Sequence, residues 1–329
     1  MDLSIAIQVF LVAALVLFRA GDLFVTGAVG LSVRLNMPKI LVGIVIVGFS
    51  TTMPELLVSL QAAIAGKPEI ALGNAIGSVI ADDALALALA AIIAPILLHQ
   101  KKTFRIAALF LIVVDFVAYF LAFDGTLNRP EGIILVTGLF LYIGYAIYSA
   151  KKGQALIPAE KIETEEEMVG WGAITWSFLA GFIGVLVASN LIVESGTVIA
   201  TAIGVPEIVI GLTIIALGTS LPEIATVIAA ARKGEGEVAA GNIIGADILN
   251  ILWIAGMSAI VNPIVVDPKI INFSFPAMIA VVGTMLIFLR TKWRLDKWEG
   301  YVLLGMYVAY MVALGLLFGF EGQLENHGL

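Results

Sequence analysis

The chain carries one polar signature twice, at a fixed distance, inside segments otherwise too apolar to welcome it. Thr51-Thr52-Met53-Pro54-Glu55, followed by Gly73-Asn74-Ala75-Ile76-Gly77, returns as Thr219-Ser220-Leu221-Pro222-Glu223, followed by Gly241-Asn242-Ile243-Ile244-Gly245. Pro54, Glu55, Asn74, Gly77 and Pro95 map onto Pro222, Glu223, Asn242, Gly245 and Pro263 with one shift of 168 residues. A register kept without a gap over that length marks a repeated structural unit. Each copy also sets a carboxylate beside a proline in a long apolar segment, where a charge is costly and is read as functional by default. The pair reads as an ion site.

Hydrophobic residues make up 60% of the chain and charged residues 13%, against roughly 25% charged in soluble domains. The expectation is an all-α polytopic membrane protein. Ten apolar spans are predicted, near 4–33, 38–65, 70–98, 104–122, 130–150, 171–203, 206–231, 238–262, 270–290 and 298–320. Each is of the length that a helix needs to cross a bilayer, about 20 residues. The first is kept as a transmembrane helix rather than a cleaved signal, because Met1-Asp2-Leu3-Ser4 has no positive charge and no clear cleavage site follows.

Lysine and arginine set the orientation. Fourteen of them lie in or beside the connections after spans 1, 3, 5, 7 and 9, and three (Lys67, Arg129, Lys269) border the other side. The odd connections are therefore expected in the cytoplasm and both termini outside. Five spans per copy is an odd number, so the second copy must cross in the opposite sense. That is an inverted repeat, with the substrate site near the midplane where the halves meet. The predicted division is a first five-helix repeat at 1–150, a cytoplasmic linker at 151–170, and a second five-helix repeat with an external tail at 171–329.

The acidic run Glu163-Thr164-Glu165-Glu166-Glu167 reads as a solvated loop, and no soluble regulatory domain is inferred. A net charge of −7 suggests no nucleic-acid partner. The absence of cysteine excludes disulfides and thiolate metal sites. His99 and His327 have no neighbours with which to build a transition-metal cluster. Neither a cofactor nor an obligate protein partner is expected.

Pro54 and Pro222 cannot donate the hydrogen bond that would reach the carbonyl four residues back, so the carbonyls near Ser50 and Gly218 are freed. In a membrane such groups are tolerated where they are buried in protein or line a polar cavity. Thr51 and Thr52 precede Glu55 by four and three residues and share its helical face, as Thr219 and Ser220 do for Glu223. All these ligands are oxygens, which suit hard cations; two carboxylates match one divalent ion, several monovalent ions or protons in turn. In the next span Asn74, Ser78 and Asp82 follow at intervals of four, matched by Asn242, Ala246 and Asn250. The glycines and asparagines of this stripe also serve as packing devices, whereas Asp82 reads as functional. Asp83 and Asp247 lie off that face and are open to three readings: proton carrier, supporting residue, or lining of a water-filled vestibule. Asp22, Asp115 and Glu194 read as structural, with Arg19 a partner for Asp22. Trp171, Trp176, Trp293 and Trp298 read as interfacial anchors.

With Gly218 before it, the second motif resembles the second α-repeat of the cation/Ca²⁺ antiporter superfamily, and the first copy resembles its partner. The similarity spans essentially the whole chain and is closest to the ten-span prokaryotic Na⁺/Ca²⁺ exchangers. It implies four adjacent cation positions. Glu55 and Glu223 would serve Ca²⁺ and Na⁺ alternately, with Thr51, Thr219 and the carbonyls of Gly48 and Ala216 completing the shells. Thr52, Ser220 and Ser78 would match hydroxyls of the Na⁺ sites, Asp82 and Asn250 would flank the middle position, and the first helix of each copy would slide to alternate access. Three departures stand out: Ser50-Thr51-Thr52-Met53 replaces the usual Gly-Thr-Ser-Leu, Ala246 replaces a serine, and the middle-position acid and amide are exchanged between copies.

The leading expectation is a Na⁺/Ca²⁺ antiporter in a prokaryotic plasma membrane. The alternatives are an H⁺/Ca²⁺ antiporter coupled through Glu55, Glu223 or Asp82, a passive cation channel, and, more remotely, an intramembrane protease using Asp82, Asp83 and Asp247. A transport protein rather than an enzyme is expected.

Overall fold

Long apolar runs punctuated by proline and glycine fold into helices that start and stop where those residues dictate. The computed structural model describes residues 2–35, 37–154, 170–203 and 216–319. The first repeat contains α1 (Leu3–Arg34), α2 (Lys39–Thr51), α3 (Met53–Ile64), α4 (Pro68–Ile93), β1 (Ile96–Leu97), α5 (Lys101–Ala122), β2 (Thr126–Leu127) and α6 (Arg129–Gln154). The second contains α7 (Trp171–Ala202), α8 (Ala216–Thr219), α9 (Leu221–Arg232), α10 (Gly236–Val261), β3 (Ile264–Val265), α11 (Ile270–Thr291), β4 (Arg294–Leu295) and α12 (Lys297–Gly319). Pro54, Pro68 and Pro222 sit in the first turns of α3, α4 and α9, where a missing N–H costs nothing.

Among the described residues, seven helices are long and apolar enough to cross a membrane, and the bent pair α2 and α3 makes an eighth span. The expected span 206–231 lies partly outside the described residues. So do most of the linker and the tail from 320, with His327. The expected span 38–65 is not one helix: α2 and α3 meet at 47° around Thr52.

The sequence repeat is reproduced element by element. Boundaries of α7, α9 and β3 follow those of α1, α3 and β1 by the same 168 residues. The short strands, which hydropathy does not foretell, join the two copies. Ile96 pairs with Leu295 and Leu97 with Arg294, while Leu127 pairs with Ile264 and Thr126 with Val265. Applying the repeat shift to one antiparallel pairing generates the other, residue for residue, which is the signature of a twofold relation between the copies.

Burial separates two layers. In α1 and α7 only 22% of the apolar stretch is buried and in α12 only 11%, against 72% in α4 and 83% in α10. The pair α1 and α7 packs mainly on itself, through Phe24 and Phe178 (ring centroids 4.8 Å apart) and a small cluster of Leu17, Ala20, Val185 and Ala188 that touches α9 at Ala225. The remaining helices, with Phe24, Val25, Ala28 and Val29 of α1, share one large core centred on α4 and α10. Trp171, Trp176 and Trp298 are exposed as anchors should be. Trp293 instead adopts a left-handed backbone beneath Lys101 and Arg105, at 5.3 and 5.0 Å from its ring centre.

Candidate cation site

Two helix breaks build the site. At Thr52 and at its repeat mate Ser220 the backbone leaves helical geometry (φ −79, ψ 1 and φ −84, ψ 3), so α2 and α8 end where α3 and α9 begin. A helix C-terminus presents carbonyls and favours cations, and a helix N-terminus favours anions. Each break therefore puts carbonyl oxygens next to a first-turn glutamate, Glu55 in α3 and Glu223 in α9. The spacing Thr52-x-x-Glu55 could also form a reciprocal capping box. It does not: the Thr52 hydroxyl donates to the Gly48 carbonyl at 2.5 Å and gives no cap hydrogen bond.

The two breaks face each other and exchange partners. Thr219 interacts with the Glu55 carboxylate, and Thr51 and Thr52 interact with that of Glu223. The charge of Glu223 acts on Glu55 and on Asp82, and that of Asp82 acts on Glu55. Glu55, Glu223 and Asp82 are each 1% exposed, Thr51, Ser220 and Asn250 are 0% exposed, and Thr52 and Ser78 are buried. The Gly48 carbonyl accepts the hydroxyls of Thr51 (3.2 Å) and Thr52 and the Thr52 N–H (3.0 Å). Ala216 opens α8, one turn before Thr219, as Gly48 stands one turn before Thr51.

Both carboxylate oxygens of Glu55 and Glu223, Asp82 Oδ1, Ser220 Oγ and both amide atoms of Asn250 are buried without a hydrogen bond of good geometry among the described residues. Buried polar groups are otherwise satisfied in more than nine cases in ten. No lysine or arginine among the described residues pairs with these acids, since the ion pairs recorded lie at helix ends. Nor do three acidic or histidine side chains converge on one point among the described residues. The oxygen set is instead two carboxylates with hydroxyls and carbonyls, to which Asp82 adds a nearby charge, a mixture suited to Ca²⁺ or Na⁺ rather than to a transition metal. Both Asp82 and Asn250 open π-helical turns, at Asp82–Ala86 and Asn250–Ala255, and such turns recur at functional sites.

Three sequence readings change. Asp83 and Asp247 do not line a water-filled vestibule, because both are 0% exposed. Their side chains are neighbours, Asp83 acts on Asp115 of α5, and Asp115 acts on Asp247, so the nearest charges to Asp115 are acids. Asp22 makes no ion pair with Arg19 among the described residues; its carbonyl accepts the Thr26 hydroxyl at 2.8 Å. One site neighbour escaped the sequence reading. Asn242 Oδ1 accepts the Thr51 hydroxyl at 3.1 Å across the copies, and its place on the polar stripe was the available signal.

Comparison with known proteins agrees with this geometry. The sodium/calcium exchanger protein family matches residues 5–150 and 173–316. The inner membrane protein YrbG of Escherichia coli is 32% identical over 321 residues, covering 94% of this chain and 97% of its own. The sodium/calcium exchanger MaX1 of Methanosarcina acetivorans is 28% identical, covering 95% and 99%. A solved structure of the sodium-calcium exchanger NCX_Mj superposes with a TM-score of 0.80 at 27% identity, covering 95% of this chain and all of that one. With both stretches of the family matched and the cation-exchanger fold in place, the chain is an integral membrane protein that belongs to the sodium/calcium exchanger protein family.

Proposed function

We propose that this protein is a secondary antiporter that exchanges Na⁺ for Ca²⁺ by alternating access at the junction of its two repeats. The observation that carries the reading is a pair of buried glutamates, each in the first turn after a helix break, whose carboxylate oxygens have no hydrogen bond of good geometry among the described residues. In this reading Ca²⁺ lies between the two glutamates, with Thr51, Thr219 and the Gly48 and Ala216 carbonyls as further ligands. Thr52, Ser220 and Ser78 supply hydroxyls to Na⁺, and Asp82 and Asn250 border the middle of the site. Two buried carboxylates need a compensating charge. One Ca²⁺ or several Na⁺ meet that need alternately, which makes release of one load conditional on binding of the other.

The surrounding topology is part of the proposal: ten spans, five per repeat at 1–150 and 171–329, joined by a cytoplasmic linker at 151–170. Both termini lie outside a prokaryotic plasma membrane, an orientation that the fourteen-to-three bias of Lys and Arg supports. A second reading, H⁺/Ca²⁺ exchange, draws on Asp82, Asp83, Asp115 and Asp247, buried carboxylates beyond the two glutamates.

Radioactive Ca²⁺ uptake into proteoliposomes separates the readings. Uptake driven by an outward Na⁺ gradient, and lost in Glu223→Gln, is the expected result. Uptake driven only by a pH gradient would overturn Na⁺ coupling in favour of protons, and currents far above carrier turnover would overturn exchange altogether.

A further inference from the structure

The two signature asparagines are repeat mates held in different ways. Asn74 on α4 donates its Nδ2 to the Ser59 hydroxyl at 3.0 Å and reaches the Glu55 carbonyl oxygen at 3.5 Å. At the position that matches Ser59, the second copy has Val227. A valine side chain accepts no hydrogen bond, and Asn242 Nδ2, on a residue that is 0% exposed, is buried without a partner among the described residues. Burying an unpaired amide N–H is destabilising, and leucine in that position would avoid the cost. The side chain's other end accounts for its presence: Oδ1 takes the Thr51 hydroxyl at 3.1 Å.

A hydroxyl that ligates a cation must direct its proton elsewhere, since only the oxygen lone pairs coordinate. Thr51 lies between the Glu223 carboxylate and three other acceptors: Asn242 Oδ1, and the carbonyls of Val47 and Gly48 at 3.2 Å each. The Gly48 carbonyl already serves the Thr52 hydroxyl and N–H. Both carbonyls sit on Thr51's own helix, whereas Asn242 approaches from α10 of the other copy. A positive charge between Thr51 and Glu223 repels the hydroxyl proton towards Asn242.

We propose that Asn242 is a positioning residue for cation binding: it accepts the Thr51 proton and so turns the Thr51 lone pairs to the ion held by Glu223. The inference rests on the reading of Thr51 as a ligand in the proposed exchange. It also makes the half-sites unequal, because Asn74 spends its amide on Ser59 within its own repeat while Asn242 bridges the copies.

The test is Ca²⁺ binding to the detergent-purified full chain, paired with the Ca²⁺ dependence of initial uptake in proteoliposomes. Asn242→Leu should raise half-saturation for Ca²⁺ about tenfold, the loss of one hydrogen bond at a ligand, with the maximal rate within about twofold. Asn242→Asp, which keeps the acceptor, should recover affinity. Val227→Ser, which supplies the missing acceptor, should raise the melting temperature and leave half-saturation unchanged. In a Thr51→Val background Asn242→Leu should shift half-saturation no further, whereas a purely structural role would add its effect in full. An unshifted half-saturation in Asn242→Leu, or an additive shift in the double variant, overturns the proposal. Should Asn242→Leu not fold, Asn242→Ser carries the same comparison. Glu223→Gln tells the two failures apart: if it still binds Ca²⁺, the site reading itself fails; if it does not and Asn242→Leu is silent, only the role of Asn242 falls.

Discussion

In α10 every residue from Gly236 to Leu249 is buried, whereas its repeat mate α4 leaves Gly73 exposed and Asn74 and Gly77 half-buried. The sequences of the two stretches are near copies, so the difference comes from what lies against them. Helix α2 crosses α10 so closely that a Cβ on Gly241 or Gly245 would overlap the carbonyl oxygens of Ile40 or Ile44, while a Cβ on Gly77 meets nothing among the described residues. Glycine is present in both copies, yet in one it meets backbone, and in the other a Cβ would meet nothing among the described residues. Among the described residues α10 is covered by α2, and α4 is the more exposed of the pair.

The sharpest way to break the comparison is to ask whether the glutamates are equivalent despite their unequal surroundings. Glu55→Gln and Glu223→Gln each remove a buried charge with almost no change of shape. Both should cut exchange by roughly 100-fold or more while leaving folded, membrane-inserted protein, since uncompensated buried charge is worth about 3–5 kcal/mol. Measured uptake that survives in either one would make the site one-sided.

Helix packing gives the next effect. Gly245→Ala should destabilise by about 1–3 kcal/mol, because the methyl has to displace the Ile44 backbone. Gly77→Ala should be neutral or stabilising by up to about 1 kcal/mol, the usual preference for alanine inside a helix. Thermal unfolding in detergent separates them, and equal losses would mean that α4 is covered as α10 is. The chain has no cysteine, so single replacements report access directly. A membrane-impermeant maleimide should label Gly73→Cys and spare Ile243→Cys, which is 0% exposed. Labelling of both would mean that α10 is no better covered than α4.

Much of the architecture was legible in the sequence. The gapless repeat announced matched elements, and the structure reproduces them down to the pairing Ile96 with Leu295 and its mate Ile264 with Leu127. Glu55, Glu223 and the flanking hydroxyls stood out because a carboxylate among hydroxyls in an apolar span is costly to bury unless it binds something. The encounter of Asp83 with Asp247 and Asp115 was not legible: they lie on three helices, and helical spacing only predicts neighbours on one. Asn242 was visible as part of a stripe, but its bond to Thr51 depends on how the two repeats face each other. The Arg19–Asp22 pairing failed for a related reason, because a three-residue spacing permits contact without requiring it.

The smallest expected effect concerns how the cover along α10 is fastened. Lys39, the first residue of α2, donates to both carboxylate oxygens of Glu235 at 2.9 and 2.8 Å, and Glu235 immediately precedes α10. The pair thus ties the start of the covering helix to the start of the covered one. Its side chains are 34% and 20% exposed, so water and salt screen the attraction. Exposed pairs of this kind contribute about 0.2–1 kcal/mol. Lys39→Ala should lower stability by no more than about that amount, and less at high ionic strength, where screening has already weakened the bond. Reversing both charges, Lys39→Glu with Glu235→Lys, should restore what either reversal alone removes. If the pair helps to hold α2 against α10, Lys39→Ala should also let a cysteine at Ile243 react slowly with maleimide where the parent does not. A stability loss without that labelling would leave the pair a local fastening and assign the cover to the Gly241 and Gly245 contacts alone.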